Sequence, residues 1–139
     1  MITEIAYLAG LIDGEGTITI TRHKQYDRPH WVCKTFVWVS NTDRKLIKLL
    51  KRRHGGSCGL KGKPRLKHHK ANLYWRVMSH ANIERILKAC LPFLVIKKRQ
   101  AKILLKFIAS RNRNNKAQYS KQELSYQTEI RKLNGRKIS

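Results

Sequence analysis

The sequence predicts an α+β fold of αββαββα type, with an antiparallel four-stranded sheet and extra C-terminal helices. Three observations carry the expectation. Residues 17–22 read Thr, Ile, Thr, Ile, Thr, Arg, the two-residue alternation of a strand with one buried face. Strand-like segments then come in pairs between helical ones, which implies hairpins and excludes a doubly wound parallel sheet. The length of 139 residues fits one domain over 1–139, its core at about 3–110 and a C-terminal helix at about 120–134.

Each element has a local cause. Thr3 can cap a helix whose apolar positions Ile5, Leu8, Ala9 and Ile12 recur at helical spacing, and Gly14 and Gly16 are expected to stop it. Ile18 and Ile20 then face a core while Thr17, Thr19 and Thr21 face away. The polar stretch Arg22 to Pro29 turns into a second strand, Trp31 to Ser40, rich in β-branched and aromatic residues. Ser40 to Asp43 are helix-starting residues before an amphipathic run holding Leu46, Ile47, Leu49 and Leu50 and stopped at Gly55 and Gly56. Ser57 to Lys67 and Asn72 to Ser79 form a second hairpin. Ala81 to Leu91 is helical, Pro92 interrupts, and Lys97 to Ser110 resumes. Arg111 to Tyr119 is a polar linker. Ser120 and Glu123 match a capping box opening a last helix that Asn134 and Gly135 end.

Charge narrows the partners. Lys and Arg number 31 against 8 Asp and Glu, a formal +23, and with 41% hydrophobic residues this is no disordered basic tail. A folded domain so charged repels itself unless it meets a polyanion, a nucleic acid or an anionic membrane surface. The longest apolar run, Leu91 to Ile96, contains Pro92 and falls far short of the roughly 20 residues that span a bilayer. Residues 1–16 contain no Lys or Arg, unlike a signal or transit peptide, so the chain is expected to be intracellular or already processed. Cys33, Cys58 and Cys90 are odd in number and widely spaced, which argues against a disulfide framework. The adjacent His68 and His69 share no face of a helix or strand and make a poor metal pair.

Helices on one side leave the other sheet face open. The alternation puts Thr19, Thr21, His23, Lys34, Trp38 and Arg76 there, and the first arm of the second hairpin adds Lys61, Lys63 and Arg65. Such a ribbon can enter the DNA major groove, about 12 Å wide, and read base edges, with bidentate contacts expected from Arg76 or Gln25. Any single lysine is better read as a phosphate contact or a solvated charge. Trp38 either touches thymine methyls or belongs to the core.

Chemistry is suggested by residues 8–16, Leu-Ala-Gly-Leu-Ile-Asp-Gly-Glu-Gly. Ala6, Gly10 and Gly14 recur every four residues, so one helix face lacks bulk and can approach another helix closely. An isolated Asp-Gly-Glu would sooner be read as solubilising a turn. Here two of only eight acids end an apolar helix in a chain otherwise built for phosphate, which would repel both without an intervening cation. A carboxylate there suits Mg²⁺.

These nine residues resemble the signature of the LAGLIDADG homing endonucleases, with Gly for Ala and Glu for Asp near its end, and the element order resembles that family over about residues 3–133. The resemblance implies a sequence-specific endonuclease making a double-strand break at a long, nearly palindromic site in double-stranded DNA. It implies Mg²⁺ as cofactor, with Mn²⁺ able to substitute, held by Glu15 and the Gly14 carbonyl. One motif copy implies a homodimer packed through Ala6, Leu8, Ala9, Gly10, Leu11 and Asp13. Lys97 resembles the family's active-site lysine and Asn41 its water-orienting polar residue, with Arg44 or Lys45 as a nearby cation. Lys97 as one more basic residue at a helix start, and Asn41 as a plain cap, are the alternatives. The same fold also serves intron RNA maturases and non-cleaving DNA-binding regulators, which are the competing functions.

Overall fold

The computed structural model describes residues 2–24, 31–62, 71–114 and 118–135. Gln25, Lys63, Arg65, His68 and His69 lie outside them. The elements are α1 (Ile2–Glu15), β1 (Gly16–Lys24), β2 (Trp31–Asn41), α2 (Arg44–His54), β3 (Ser57–Leu60), β4 (Leu73–Val77), α3 (His80–Cys90), a 3-10 turn (Leu91–Phe93), α4 (Lys98–Arg113) and α5 (Lys121–Leu133). The α+β class and the pairing of strands are as expected.

The four strands form one antiparallel sheet in the order β1-β2-β4-β3. Its inner face buries Ile18, Ile20, Val37, Val39, Trp75 and Val77 against Leu8, Ile12, Ile47, Ile83, Leu87, Leu104, Phe107 and Ile130 of the helices. Trp75 is fully buried, and its indole Nε1 donates to Gly55 O at 2.8 Å, so the largest core side chain leaves no polar atom stranded. Helix α2 starts where Asp43 accepts from the amides of Lys45 and Leu46, and it ends at Gly55, whose φ of 80° suits glycine.

The structure sharpens one helix end and moves another. Helix α1 continues through Gly14 and ends at Glu15, because Gly16 is where bulk becomes impossible. A Cβ at Gly16 would lie 2.7 Å from Ile12 Cα and 3.0 Å from Trp38 O, so strand β1 leaves the helix in backbone contact with it. Helix α4 runs to Arg113, three residues into the stretch expected as linker.

Helix α5 opens with the expected Ser120 and Glu123 capping box. It lies along β1, an outer strand, and supplies side-chain donors to its free carbonyls. Gln127 Nε2 donates to Ile20 O at 3.3 Å and Asn134 Nδ2 to Ile18 O at 3.0 Å. The N-terminal half of β2, which β4 does not reach, is met by Tyr119, whose hydroxyl accepts from Cys33 N at 3.0 Å and donates to Cys33 O at 3.4 Å. Among the described residues the three cysteines are free, and burial pushes the Cys33 and Cys90 thiols up to about 11, so both stay protonated and apolar in behaviour.

Candidate active site

Glu15 is the last residue of α1 and exposed. A carboxylate at this position faces the negative end of the helix dipole, and no basic residue lies in the helix's own last turn. Its protein partner is Asn41 at the end of β2, whose Nδ2 donates to Glu15 Oε2 at 2.7 Å. Asn41 is itself oriented, since its Oδ1 accepts from Asp43 N at 2.8 Å. The cap of α2 is therefore Asp43, and Asn41 instead aims an amide at the candidate acid. Arg44 and Lys45 follow at the exposed start of α2.

Lys97 reaches the same helix end. Its Nζ donates to Asp13 O at 2.6 Å, placing an ammonium where α1 runs out of donors for its last carbonyls. Asp13 points the other way. Its carboxylate accepts from Val95 N at 2.7 Å and Lys97 N at 3.0 Å, and so ties the turn before α4 to α1. The two acids of the motif thus divide the work: Asp13 is consumed in holding Lys97, and Glu15 keeps one carboxylate oxygen without a protein donor among the described residues. A recess of about 320 Å³ adjoins this point, lined by Thr17, Ile96, Lys97, Gln100, Leu133 and Asn134.

Among the described residues no group of three or more His, Cys, Asp or Glu converges. One carboxylate with helix-end carbonyls is a hard-oxygen donor set that fits Mg²⁺, an ion that keeps waters and shares substrate phosphates, better than it fits zinc.

The open sheet face begins beside Glu15 and runs outward in cross-strand rows. Ser40, Tyr74 and Gly59 make the innermost, then Thr17, Trp38, Arg76 and Ser57, then Thr19 with Phe36, Thr21 with Lys34, and His23 with Val32. Trp38 is on this face and not in the core. Lys61 sits 5.3 Å over its ring, and Thr21 Oγ1 meets His23 Nε2 at 2.8 Å. Phe36 and Tyr74 share this face, which the same alternation could have revealed.

On α1, Ala6 and Leu11 are partly exposed and Gly10 is exposed. A Cβ at Gly10 or Gly14 would meet nothing within 4 Å, so this face has no neighbour among the described residues. Leu8 and Ala9 correct the expected interface: both are 0% exposed in the core of the single chain and have no surface to offer a partner. Asp13 is likewise engaged by its own chain. Tyr7, 56% exposed beside Gly10, was not expected there.

A family model described as a LAGLIDADG-like domain matches residues 3–90, more than half of the chain, including the motif, the whole sheet and α3. The chain belongs to the LAGLIDADG family. Solved structures of LAGLIDADG fold superpose on nearly all of it. The archaeal intron-encoded homing endonuclease I-Vdi141I, complexed with DNA, gives a TM-score of 0.79 at 17% identity, covering 94% of this chain and 84% of that one. The homing endonuclease I-CvuI, in complex with the I-CreI target and 2 mM Mg with the DNA not cleaved, gives 0.68 at 19% identity over 94% and 77%. The LAGLIDADG meganuclease I-CpaMI, bound to uncleaved DNA, gives 0.72 at 18% identity over 91% and 42%. At these identities the likeness shows the fold. No curated protein sequence matches the chain significantly.

Proposed function

We propose that the chain is a sequence-specific homing endonuclease that binds double-stranded DNA as a homodimer and makes an Mg²⁺-dependent double-strand break at a long, nearly palindromic site. One observation carries this reading. Glu15, at the end of α1, is gripped by Asn41 and neighboured by Lys97, and stands where the open sheet face begins. Membership of the family and the DNA-bound state of the solved relatives support it.

The residues divide the task by chemistry. The sheet rows hold the duplex, and twofold association doubles the +23 excess that draws it in. Glu15 and the Gly14 carbonyl would hold the ion. Mg²⁺ bound there supplies a Lewis acid beside the phosphodiester. Asn41 fixes the carboxylate rotamer at 2.7 Å, so the geometry is set before DNA arrives. Lys97, held at the helix end, places a positive charge where the phosphate gains negative charge as it is attacked. A single chain carries one such acid. Packing of the Gly10 and Gly14 faces about a two-fold axis supplies a second, one for each strand, and a C₂ reader calls for a nearly palindromic site.

The test separates binding from chemistry. Glu15→Gln preserves the side-chain shape and removes the charge, so cleavage of a selected site is expected to vanish while affinity holds. Mg²⁺-dependent nicking that persists in a clean preparation of that variant overturns the assignment.

A further inference from the structure

Arg76 differs from most arginines placed in partnerships here. Arg53 pairs with Glu4 at 2.8 Å, Arg99 with Glu129 at 3.6 Å, and Arg85 donates to His54 O at 2.9 Å. Arg76 is half-buried, yet among the described residues its side chain makes no hydrogen bond or ion pair, and its Nε is buried without a partner. Leaving a charged group's donor unsatisfied is costly, so the arrangement asks for a reason.

Its surroundings supply one. The guanidinium carbon lies 5.1 Å from the Tyr74 ring centre and 5.9 Å from that of Phe36, distances at which an aromatic face attracts a cation. Trp38 is directly opposite across the β2–β4 pair and Ser57 across the β3–β4 pair. The aromatic neighbours pin the side chain, and the sealed Nε closes its sideways approach. What remains for a ligand is the pair of terminal nitrogens, end-on, as a two-pronged donor fork.

β4 is an inner strand of the sheet, flanked by β2 and β3. In a ribbon lying in the major groove, an inner strand addresses the groove floor, where base edges are, more directly than the backbone at the rims. A donor-only fork matches two adjacent acceptors. Guanine offers O6 and N7 side by side, whereas adenine pairs its N7 with an amino donor that would oppose the fork. Successive outward residues on a strand are about 6.6 Å apart, and two base-pair steps span about 6.8 Å. Rows of the sheet therefore fall in step with alternate base pairs, and the Arg76 row lies one step out from the Ser40 and Tyr74 row that adjoins Asn41 and Glu15.

We propose that Arg76 is a guanine reader, specifying one G·C pair in each half-site on the cut-proximal side of the pairs that Thr21 and Lys34 face. The proposal rests on the DNA-cleaving reading above. It narrows the substrate to duplexes carrying guanine at two symmetric positions.

The test is selection of bound duplexes from a randomised DNA library, at fixed salt, by the full chain and by its Arg76→Ala and Arg76→Gln variants, each verified as folded by its thermal transition. The wild-type protein is expected to enrich a site with one guanine per half-site that loses about 5- to 150-fold of its discrimination in Arg76→Ala, while other positions keep theirs. Arg76→Gln is expected to lose guanine at the same pair, since a glutamine amide matches adenine instead. Enrichment by the wild type with guanine preference unchanged in both variants overturns the proposal alone. So does a uniform loss of affinity with a salt slope shallower by about one unit, the mark of a phosphate contact. If the wild type enriches no duplex sequence, the endonuclease reading falls and the proposal with it.

Discussion

Replacing Glu123 by alanine should unlock the C-terminal helix, and the cost can be worked from its contacts. The residue is 2% exposed. Its Oε1 accepts from Ser120 N at 2.9 Å and stands 3.4 Å from Arg111 Nη1, and its Oε2 accepts from the Ser110 hydroxyl at 2.9 Å. Alanine strips Arg111, itself only 12% exposed in its side chain, of this carboxylate and unmakes the capping box. Hydrogen bonds to a charged group contribute about 1.5–3 kcal/mol each, and a lost cap costs about 1 kcal/mol. One carboxylate makes all these contacts, so the terms overlap and about 3–5 kcal/mol is expected in total. Urea unfolding with unchanged m-value would measure it, and the thermal midpoint should fall by roughly 10–15 °C. Burial alone would raise the Glu123 pKa, but the Ser120 amide, the Ser110 hydroxyl and Arg111 outweigh it and hold it below the ordinary value of 4.5. A carboxylate with a lowered folded pKa stabilises fully above its unfolded value and loses that contribution as pH falls through the folded one. The gap between wild type and variant should therefore hold from pH 7 to about 5 and narrow below. A destabilisation under about 1 kcal/mol, or a gap that widens on acidification, refutes the reasoning.

Two further substitutions probe the motif helix. Gly10→Leu adds a side chain at a Cβ position that has nothing of the described residues within 4 Å, so the fold should keep its stability while the protein sediments as a monomer; a dimer of unchanged affinity would place the interface elsewhere. Asp13→Asn keeps the size but turns an acceptor of the Val95 and Lys97 amides into a competing donor, loosening the Lys97 turn. Single-turnover cleavage should slow by about ten- to a hundredfold with DNA affinity little changed, and an unaltered rate would mean that Lys97 does not depend on this tether.

Much of this architecture was legible because local chemistry decided it. The Thr-Ile alternation placed Ile18 and Ile20 inside, and the Ser120 and Glu123 box opened α5 where the spacing says it should. The end of α1 falls within the expected glycine pair, but which glycine ends it was not legible. Gly14 and Gly16 look alike as helix breakers, yet only the second is pressed against Ile12 of its own helix and Trp38, the latter 22 positions further on. Leu8 and Ala9 show the same limit, since helical spacing says that a face is apolar but not whether its own chain or another covers it. The partition of Asp13 and Glu15 was also invisible, because the amides that claim Asp13 come from residues more than 80 positions away.

The way α5 and Tyr119 treat the sheet has a consequence for how copies of the chain can meet. A bare outer strand is a template for another strand, and stacking by that route has no natural end. Gln127 and Asn134 occupy two carbonyls of β1, and Tyr119 occupies both backbone groups of Cys33 on the far side of the hairpin. With those borders taken, growth by strand addition is blunted, while the α1 face around Gly10 and Gly14 stays bare. A face that meets its own copy about a two-fold axis is used up at two subunits. A chain cut before Tyr119 would lose this guard, and its characteristic failure would be open-ended fibres from an otherwise recognisable hairpin rather than a loose monomer.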